Sequence, residues 1–144
     1  MTQDKELLLK DLCARLPYGI KLGFYASATK QTYICTLLGL EPQEDEPVIA
    51  KTENGSFYML AGHVKPYLFP LSSMTEEQQE EFDRIYADDM QVVACNLKNK
   101  LDGKPYETNL GHYRHIDWLN ANHFDYRGLI PKGLAIDSTG KNIY

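Results

Sequence analysis

The chain has 144 residues, which is enough for one hydrophobic core and too few for two domains of ordinary size. With 43% hydrophobic and 24% charged residues, its composition is that of a folded globular protein and excludes wholesale disorder and fibrous repeats. No apolar stretch is long enough to span a bilayer, and the first residues lack the pattern of a secretory signal. We therefore expect a single domain over 1–144 with no membrane association.

The three cysteines, Cys13, Cys35 and Cys95, are odd in number and form no Cys-x-x-Cys pair. This pattern favours free thiols that pack as small apolar side chains over a disulfide framework or a cysteine-rich zinc site. Because free thiols are typical of a reducing compartment, we expect a cytoplasmic location.

Charge is distributed unevenly along the chain. Residues 1–40 carry a net charge of +2, residues 41–97 carry −9 and residues 98–144 carry +2, for a total of −5. The chain therefore lacks the overall basic character of a general nucleic-acid-binding protein. A local basic patch remains an alternative in the last third of the chain, which has a net positive charge and holds three of the four histidines.

The first segment predicts a helix. Thr2 occupies a suitable N-cap position, and Leu8, Leu12 and Leu16 recur every four residues before Pro17 ends the pattern. A helix this short is only marginally stable alone, so we expect its leucine side to pack on the rest of the domain.

Strand-like sequence follows this helix. Two stretches rich in β-branched and aromatic residues, 20–27 and 31–40, predict a β-hairpin, and the second is apolar on both sides, as in an interior strand. Farther on, Asn54-Gly55 separates two more apolar runs and predicts a second hairpin with a type I′ turn.

Three further segments are assigned from their turn and proline residues. Residues 64–69 are extended, but Pro66 and Pro70 favour an edge strand or a loop there. Residues 96–108 contain an Asp-Gly pair and predict a loop. The tail, 134–144, carries large apolar residues that we expect to be docked on the domain.

A second helix is predicted over about 75–90. Its start fits two capping boxes, Ser73 with Glu76 or Thr75 with Gln78. The many acids in its first turns suit the positive end of the helix dipole and a solvated face. Mimicry of nucleic-acid phosphates is the weaker interpretation of this acidic face.

A third helix, predicted over about 109–122, carries the histidines. At about 100° per residue, His112, His115 and His123 fall on one side of it. His112 and His115 are close enough to bind one metal ion, but His123 lies about three turns away, and Asp117 projects to the wrong side. We expect no bound metal and no cofactor, and a metal-dependent enzyme that uses His112 and His115 is the third-ranked function.

These elements together predict an α+β fold: an N-terminal helix, an antiparallel β-meander of about four strands, and two C-terminal helices packed on the sheet. The sequence contains no nucleophile elbow, no P-loop and no dinucleotide-binding motif. We therefore expect a non-enzymatic protein without catalytic residues.

The segment 118–130 combines aromatic and charged side chains at a helix terminus. Trp, Tyr and Arg are enriched at binding hot spots, so this segment is the candidate binding surface. The competing interpretation is structural, with the charged residues pairing or capping backbone groups and the apolar ones filling the core. The residues of the candidate surface are Trp118, His123, Asp125, Tyr126 and Arg127.

Three blocks of the chain resemble an uncharacterised protein family of phages, prophages and mobile elements of gut anaerobic bacteria. They are LPYGIKL at 16–22, KPYLFPLSSMTEEQ at 65–78, and WLNANHFDYRGLI at 118–130 with GLAIDSTGKNIY behind it. The resemblance implies a small intracellular accessory protein and brings no site residues. We therefore expect an interaction protein that binds a host or phage macromolecule. A protein partner leads, and a nucleic-acid accessory factor that uses the basic, aromatic last third is the alternative.

Overall fold

The computed structural model describes residues 2–41, 47–52, 55–104 and 113–144. Within these ranges the chain has an α+β architecture with three α-helices and one mostly antiparallel sheet of seven strands. None of the helices described is long and apolar enough to cross a membrane.

The contacts of the chain divide it into two compact units. Unit 1 comprises Met1–Ser73 and His123–Tyr144, and unit 2 comprises Met74–Asn122. Unit 1 contains the first helix and the whole sheet, whereas unit 2 contains the other two helices. The expectation of one domain over 1–144 stays a prediction.

The N-terminal helix of unit 1 is confirmed. It spans Gln3–Arg15 (α1), and the Thr2 side chain caps it by accepting a hydrogen bond from the Lys5 backbone N–H at 3.2 Å. A short 3₁₀ turn over Leu16–Tyr18 then ends the helical segment at Gly19, which has a positive φ of 67°.

Seven strands form the sheet, more than the predicted four. The strands are Lys21–Ala26 (β1), Gln31–Leu40 (β2), Pro47–Thr52 (β3), Gly55–Leu60 (β4), Val64–Pro70 (β5), Phe124–Asp125 (β6) and Ile136–Asp137 (β7). In space their order is β4-β3-β2-β1-β5-β6, with β7 also paired to β5. The pairs from β4 through β3, β2 and β1 to β5 are all antiparallel, which confirms the first hairpin and the interior position of β2.

The placement of 64–69 at an edge or in a loop is wrong, because β5 lies inside the sheet. Its first half pairs with β1 as far as Pro66, and its second half, from Tyr67 to Pro70, pairs in parallel with β7 and β6. In the ladders formed by the described strands, Pro66 has a partner in β1 alone and Pro70 has a partner in β6 alone. That arrangement tolerates residues without a backbone N–H.

The second hairpin is present, with β3 and β4 paired from Pro47–Leu60 down to Thr52–Gly55. Gly55 has a φ of +115°, which requires a residue without a side chain. Asn54 lies outside the described residues, so the type I′ turn stays a prediction.

One face of the sheet forms the core of unit 1. The alternation of side chains along the strands puts Leu22, Leu37 and Ala50 on this face, where all three are buried. Leu8 and Leu12 of α1 pack against them. Burial of one leucine contributes about 2 kcal/mol, so the sheet stabilises a helix that is marginal alone.

Unit 2 begins with a helix that is longer than predicted. It spans Glu76–Leu101 (α2), and the capping box is the one between Thr75 and Gln78. The predicted loop over 96–108 is therefore wrong for 96–101, because lysine and leucine favour the helix and outweigh the two asparagines. The helix ends at the Asp-Gly pair, where Gly103 has a φ of +70°.

The last helix, α3, spans Arg114–Ala121. It lies inside the predicted range of 109–122, whose first four residues are outside the described part of the chain. That α2 and α3 pack on the sheet stays a prediction.

Candidate functional site

The structure assigns the five predicted surface residues to different units. Trp118 belongs to α3 in unit 2, where its ring lies 5.7 Å from that of Phe82. The other four lie in unit 1, in β6 and the segment that follows it. Their role as a binding surface stays a prediction, and their contacts in the fold are as follows.

His123 does not share a helix side with the other histidines, which corrects the predicted alignment. The helix ends before it, and His123 has a left-handed φ of +62°. Its ring stacks on Tyr144 with a centroid distance of 3.6 Å and an interplanar angle of 10°. Burial, helped by the nearby positive charges of Arg15 and Lys21, lowers the pKa of His123 to about 4. The ring is therefore neutral at physiological pH.

The stacked tyrosine also ties the C-terminal segment to the sheet. The Tyr144 hydroxyl donates a hydrogen bond to the Tyr67 carbonyl at 2.8 Å and accepts one from the Lys21 backbone N–H at 3.0 Å. Burial raises the pKa of this phenol, so it stays a donor at all physiological pH values. The expected docking of the tail is thus confirmed.

Asp125 holds a turn of the backbone. Its two carboxylate oxygens accept hydrogen bonds from the backbone N–H groups of Leu129 and Ile130, each at 2.9 Å. The residue is buried, and the two bonds satisfy a charge that burial would otherwise penalise. This geometry positions the chain after β6.

Tyr126 and Arg127 belong to a partly buried ion-pair cluster. Arg15 and Asp11, both with fully buried side chains, form an ion pair at 2.8 Å, and Arg127 lies 3.4 Å from the other oxygen of Asp11. The guanidinium groups of Arg15 and Arg127 lie 5.3 and 4.9 Å from the Tyr126 ring centroid. Arg15 also donates to the Phe124 carbonyl at 2.6 Å.

Burial raises the pKa of Asp11, and the attraction of Arg15 opposes that rise. Sequence reasoning missed this pair, although Asp11 and Arg15 stand four residues apart on the leucine side of α1. The cluster ties the first helix to the C-terminal segment of unit 1.

His115 is the centre of a second polar contact, inside unit 2. Its Nδ1 lies 2.6 Å from Asp89 of α2, and its backbone N–H donates to the same carboxylate oxygen at 2.8 Å. Burial alone would raise the pKa of Asp89, but the hydrogen bonds from His115 and Arg114 outweigh it and lower that pKa. The rings of Phe82, Tyr86 and Tyr113 face the imidazole edge-on.

Carboxylate–histidine pairs of this kind also orient metal-binding imidazoles. His112, the second residue of the predicted metal pair, lies outside the described part of the chain. Among the residues that are described, no group of three or more His, Cys, Asp or Glu side chains could hold a metal ion. The contact instead joins α3 to α2, and the metal-dependent enzyme stays a prediction.

A groove at one end of the sheet was not predicted. The strands β1 to β4 continue beyond the part of the core face that α1 covers, and the exposed continuation forms an open groove of about 850 Å³. On this face Phe24 stands beside Tyr33, and Phe57 and Met59 lie in the outer strand. The lining residues within the described part of the chain are Phe24, Thr32, Tyr33, Ile34, Cys35, Thr52, Phe57, Tyr58 and Met59, and none of these is charged.

The groove is bordered by an exposed strand edge. In the sheet order β4 is outermost, and its sequence, GSFYML, contains neither a charge nor a proline to discourage pairing. Phe57 is 43% exposed and Tyr58, the next residue along the strand, is 67% exposed. The sequence signal for this edge is the run of large apolar residues at successive positions of β4, which puts such residues on both faces of an outermost strand.

The groove does not supply a reactive thiol. Cys35 is buried at its base, and its Sγ lies 3.6 Å from the Leu22 carbonyl oxygen. Burial raises the pKa of this thiol, so it stays protonated. The groove is thus suited to binding by shape and apolar contact.

Comparison of the chain with protein-family models, with curated proteins and with solved structures found no match.

Proposed function

We propose that this protein is a non-enzymatic interaction protein that binds an extended segment of a partner protein along the open groove. The observation that carries the proposal is the exposed aromatic face, which has no charged side chain among its described lining residues, next to β4, the outermost of the described strands. An extended chain can add to such an edge through backbone hydrogen bonds, while its alternate side chains enter the groove.

The chemistry of the groove favours a protein over a nucleic acid. Binding of a nucleic acid depends on lysine and arginine contacts to phosphates, and the lining residues that the structure describes include neither. Its aromatic rings and hydroxyl groups instead fit apolar side chains and a peptide backbone.

The alternative function, a nucleic-acid accessory factor that uses the last third of the chain, has weaker support. Two arginines of that third already face carboxylates: Arg114 lies 3.4 Å from Asp88 and Asp89, and Arg127 lies 3.4 Å from Asp11. These contacts reduce the positive charge that is available to phosphates.

The resemblance to a phage and mobile-element family supports an accessory role in the cytoplasm of a host cell. A groove without catalytic groups fits such a role, because capture of a host or phage protein needs only contact area and backbone pairing.

The proposal is tested by capture of partners from cells that carry the gene, using the full chain and two variants. Phe57→Lys puts a charge into the groove beside β4. Leu71→Lys is the matched control, since Leu71 is 46% exposed in unit 1 but does not line the groove. We expect the wild type and the control to retain the same protein, and Phe57→Lys to lose it.

Two results would contradict the proposal. One is equal capture by both variants, which would place the contact elsewhere. The other is recovery of nucleic acid alone, with binding that falls steeply as the salt concentration rises.

A further inference from the structure

The sheet of unit 1 has a second face, turned away from the core, and this face carries all the charge of strands β1 to β5. Those five strands contain three charged residues, all lysines: Lys21, Lys51 and Lys65. Lys21 and Lys51 both lie directly opposite Thr36, and Lys65 lies opposite Gly23. Residues that are opposite each other share a face, and Leu22 of the core alternates with these positions. We call this surface the lysine face.

Two exposed tyrosine rings lie on the lysine face, each next to a lysine. Tyr25 is 58% exposed and Tyr58 is 67% exposed. In the strand register Tyr25 lies diagonally across from Lys65, and Tyr58 lies diagonally across from Lys51. Diagonal neighbours are about 7 to 8 Å apart, within reach of long side chains. The face therefore presents an aromatic ring beside a cation at two places.

A polar row crosses the four strands between these two places. Its members lie directly opposite one another in turn from β1 to β4: Lys21, Thr36, Lys51 and Ser56. Neighbouring strands are about 4.8 Å apart, so the row is about 14 Å long. The Lys21 Nζ donates a hydrogen bond to the Thr36 Oγ1 at 2.7 Å, and beside the row Tyr67 and Ile136 pack over Gly23.

The charge balance of the chain leaves this face positive. The net charge of −5 belongs to unit 2, because unit 1 has ten acidic and ten basic residues whereas unit 2 has ten acidic and five basic residues. No carboxylate in the described part of the chain pairs with Lys51 or Lys65. The strand residues of the lysine face are therefore complementary to a polyanion.

We propose that the lysine face binds a single nucleic-acid strand, with phosphates at the lysines and bases stacked on Tyr25 and Tyr58. The exposed rings select this occupant among polyanions, because an open sheet face with aromatic side chains and cations is suited to unpaired bases. A duplex keeps its bases stacked, and a flat sheet face does not enter its grooves. An acidic polypeptide would use the lysines without needing the rings. Phosphates and base faces are common to DNA and RNA, so strands of either kind bind.

This second function does not depend on the groove. The three lysines and Tyr25 are not among the described residues that line the groove, whereas Tyr58 borders both surfaces. The variants below therefore use Lys51 and Tyr25, so that loss of nucleic-acid binding and loss of a protein partner are separate results.

Fluorescence anisotropy of the full chain with labelled oligothymidylate and oligouridylate of about 12 nucleotides tests the proposal. We expect both strands to bind, with a slope of log affinity against log salt concentration of about −2, because three lysines contribute about 0.7 each on a single strand. A duplex of the same length should bind at least about tenfold more weakly, since its bases cannot stack on the rings.

Two variants separate the phosphate contacts from stacking. Lys51→Gln should weaken binding and reduce the salt slope by about 0.7, whereas Tyr25→Ala should weaken binding about fivefold or more with the slope unchanged. Their matched controls are Lys10→Gln, at an exposed position of α1, and Tyr113→Ala, at a tyrosine of unit 2 that is 46% exposed. Both controls should bind as the wild type does. Circular dichroism of each variant establishes that it remains folded.

Four results would overturn the proposal. Neither single strand binds at any salt concentration, or the duplex binds as tightly as the single strands. Alternatively, Lys51→Gln and Tyr25→Ala bind as their controls do. Finally, polyglutamate displaces the oligonucleotide at an equal concentration of charge, which would assign the face to an acidic polypeptide.

Discussion

The two ends of the unit 1 sheet have the same strands and the same alternation of side chains but different surroundings. At the covered end Leu22 and Val48 are fully buried under α1 and the C-terminal segment, whereas at the open end Tyr33 is 42% exposed and Phe57 is 43% exposed. The two ends differ in exposure because α1 is shorter than the longest strand of the sheet. The 13 residues of α1 extend about 20 Å and the ten residues of β2 about 33 Å, so the helix is too short to cover the strand.

The comparison teaches that apolar side chains on one face of a sheet can have two roles. Those under the helix stabilise the fold, and those beyond it are available to a partner. Mutations at the two ends should therefore separate stability from binding, and the predictions below start at the covered end, where the effects are largest.

The largest effect is expected for Asp11→Ala. The change leaves the guanidinium of Arg15 buried without its carboxylate, which should lower the free energy of unfolding by about 3 to 5 kcal/mol. Urea denaturation followed by circular dichroism measures the loss. Asp4→Ala, at an exposed position of the same helix, is the control and should have little effect. If Asp11→Ala lowered the free energy of unfolding no more than Asp4→Ala does, the ion pair would not contribute to the stability of the covered end.

A matched pair of apolar truncations compares the two ends directly. Leu12→Ala removes a fully buried side chain and should lower the free energy of unfolding by about 2 to 5 kcal/mol. Phe57→Ala, at the open end, should lower it by less than about 1 kcal/mol, although it removes more atoms. Both are measured by urea denaturation. Equal losses would show that the groove is part of the stabilising core.

The last prediction concerns the pH dependence of stability at the covered end. Because the pKa of His123 is about 4 in the folded chain and about 6.5 when unfolded, the unfolded state binds more protons between these values. The contribution is fully present above pH 6.5 and is lost as the pH falls toward 4, by about 2 kcal/mol once solvent screening of this half-buried ring is allowed for.

Urea denaturation at neutral and acidic pH checks this prediction. The control is His123→Asn, which tolerates the left-handed backbone and cannot titrate. The variant should lose less stability than the wild type on acidification. An identical loss in both proteins would assign the pH dependence to other groups.

Local signals predicted much of the fold. The Thr2 cap, the leucine spacing of α1 and the apolar runs around Asn54-Gly55 each depend on neighbours in sequence, and the helix and hairpins they predicted are present. The error at 64–69 arose because proline is excluded from a strand only where its missing N–H is needed, and that depends on distant partner strands. The two-residue strands β6 and β7 are too short to give a periodic pattern.

The candidate site was less accessible to sequence reasoning. Periodicity predicts which side chains share a face, but it does not predict how far a covering helix extends, so the groove was missed. The structural interpretation of 118–130 fits Asp125, which holds backbone N–H groups, and Arg127, which pairs with Asp11, whereas the binding surface stays a prediction. The buried Arg15, which contacts the Tyr126 ring, could not be inferred because the two residues are more than a hundred positions apart.

The mixed pairing of β5 has a consequence for the order of folding. Hairpins β1–β2 and β3–β4 join strands that are neighbours in sequence, whereas the partners of Tyr67 and Phe69 lie more than fifty residues downstream. Closing such long loops carries an entropic cost of about 3 kcal/mol or more, so we expect local hairpins to form first and the parallel ladders last. The open aromatic end and the exposed β4 edge would then form while the covered end is still incomplete, so a partly folded chain is open to edge-to-edge association.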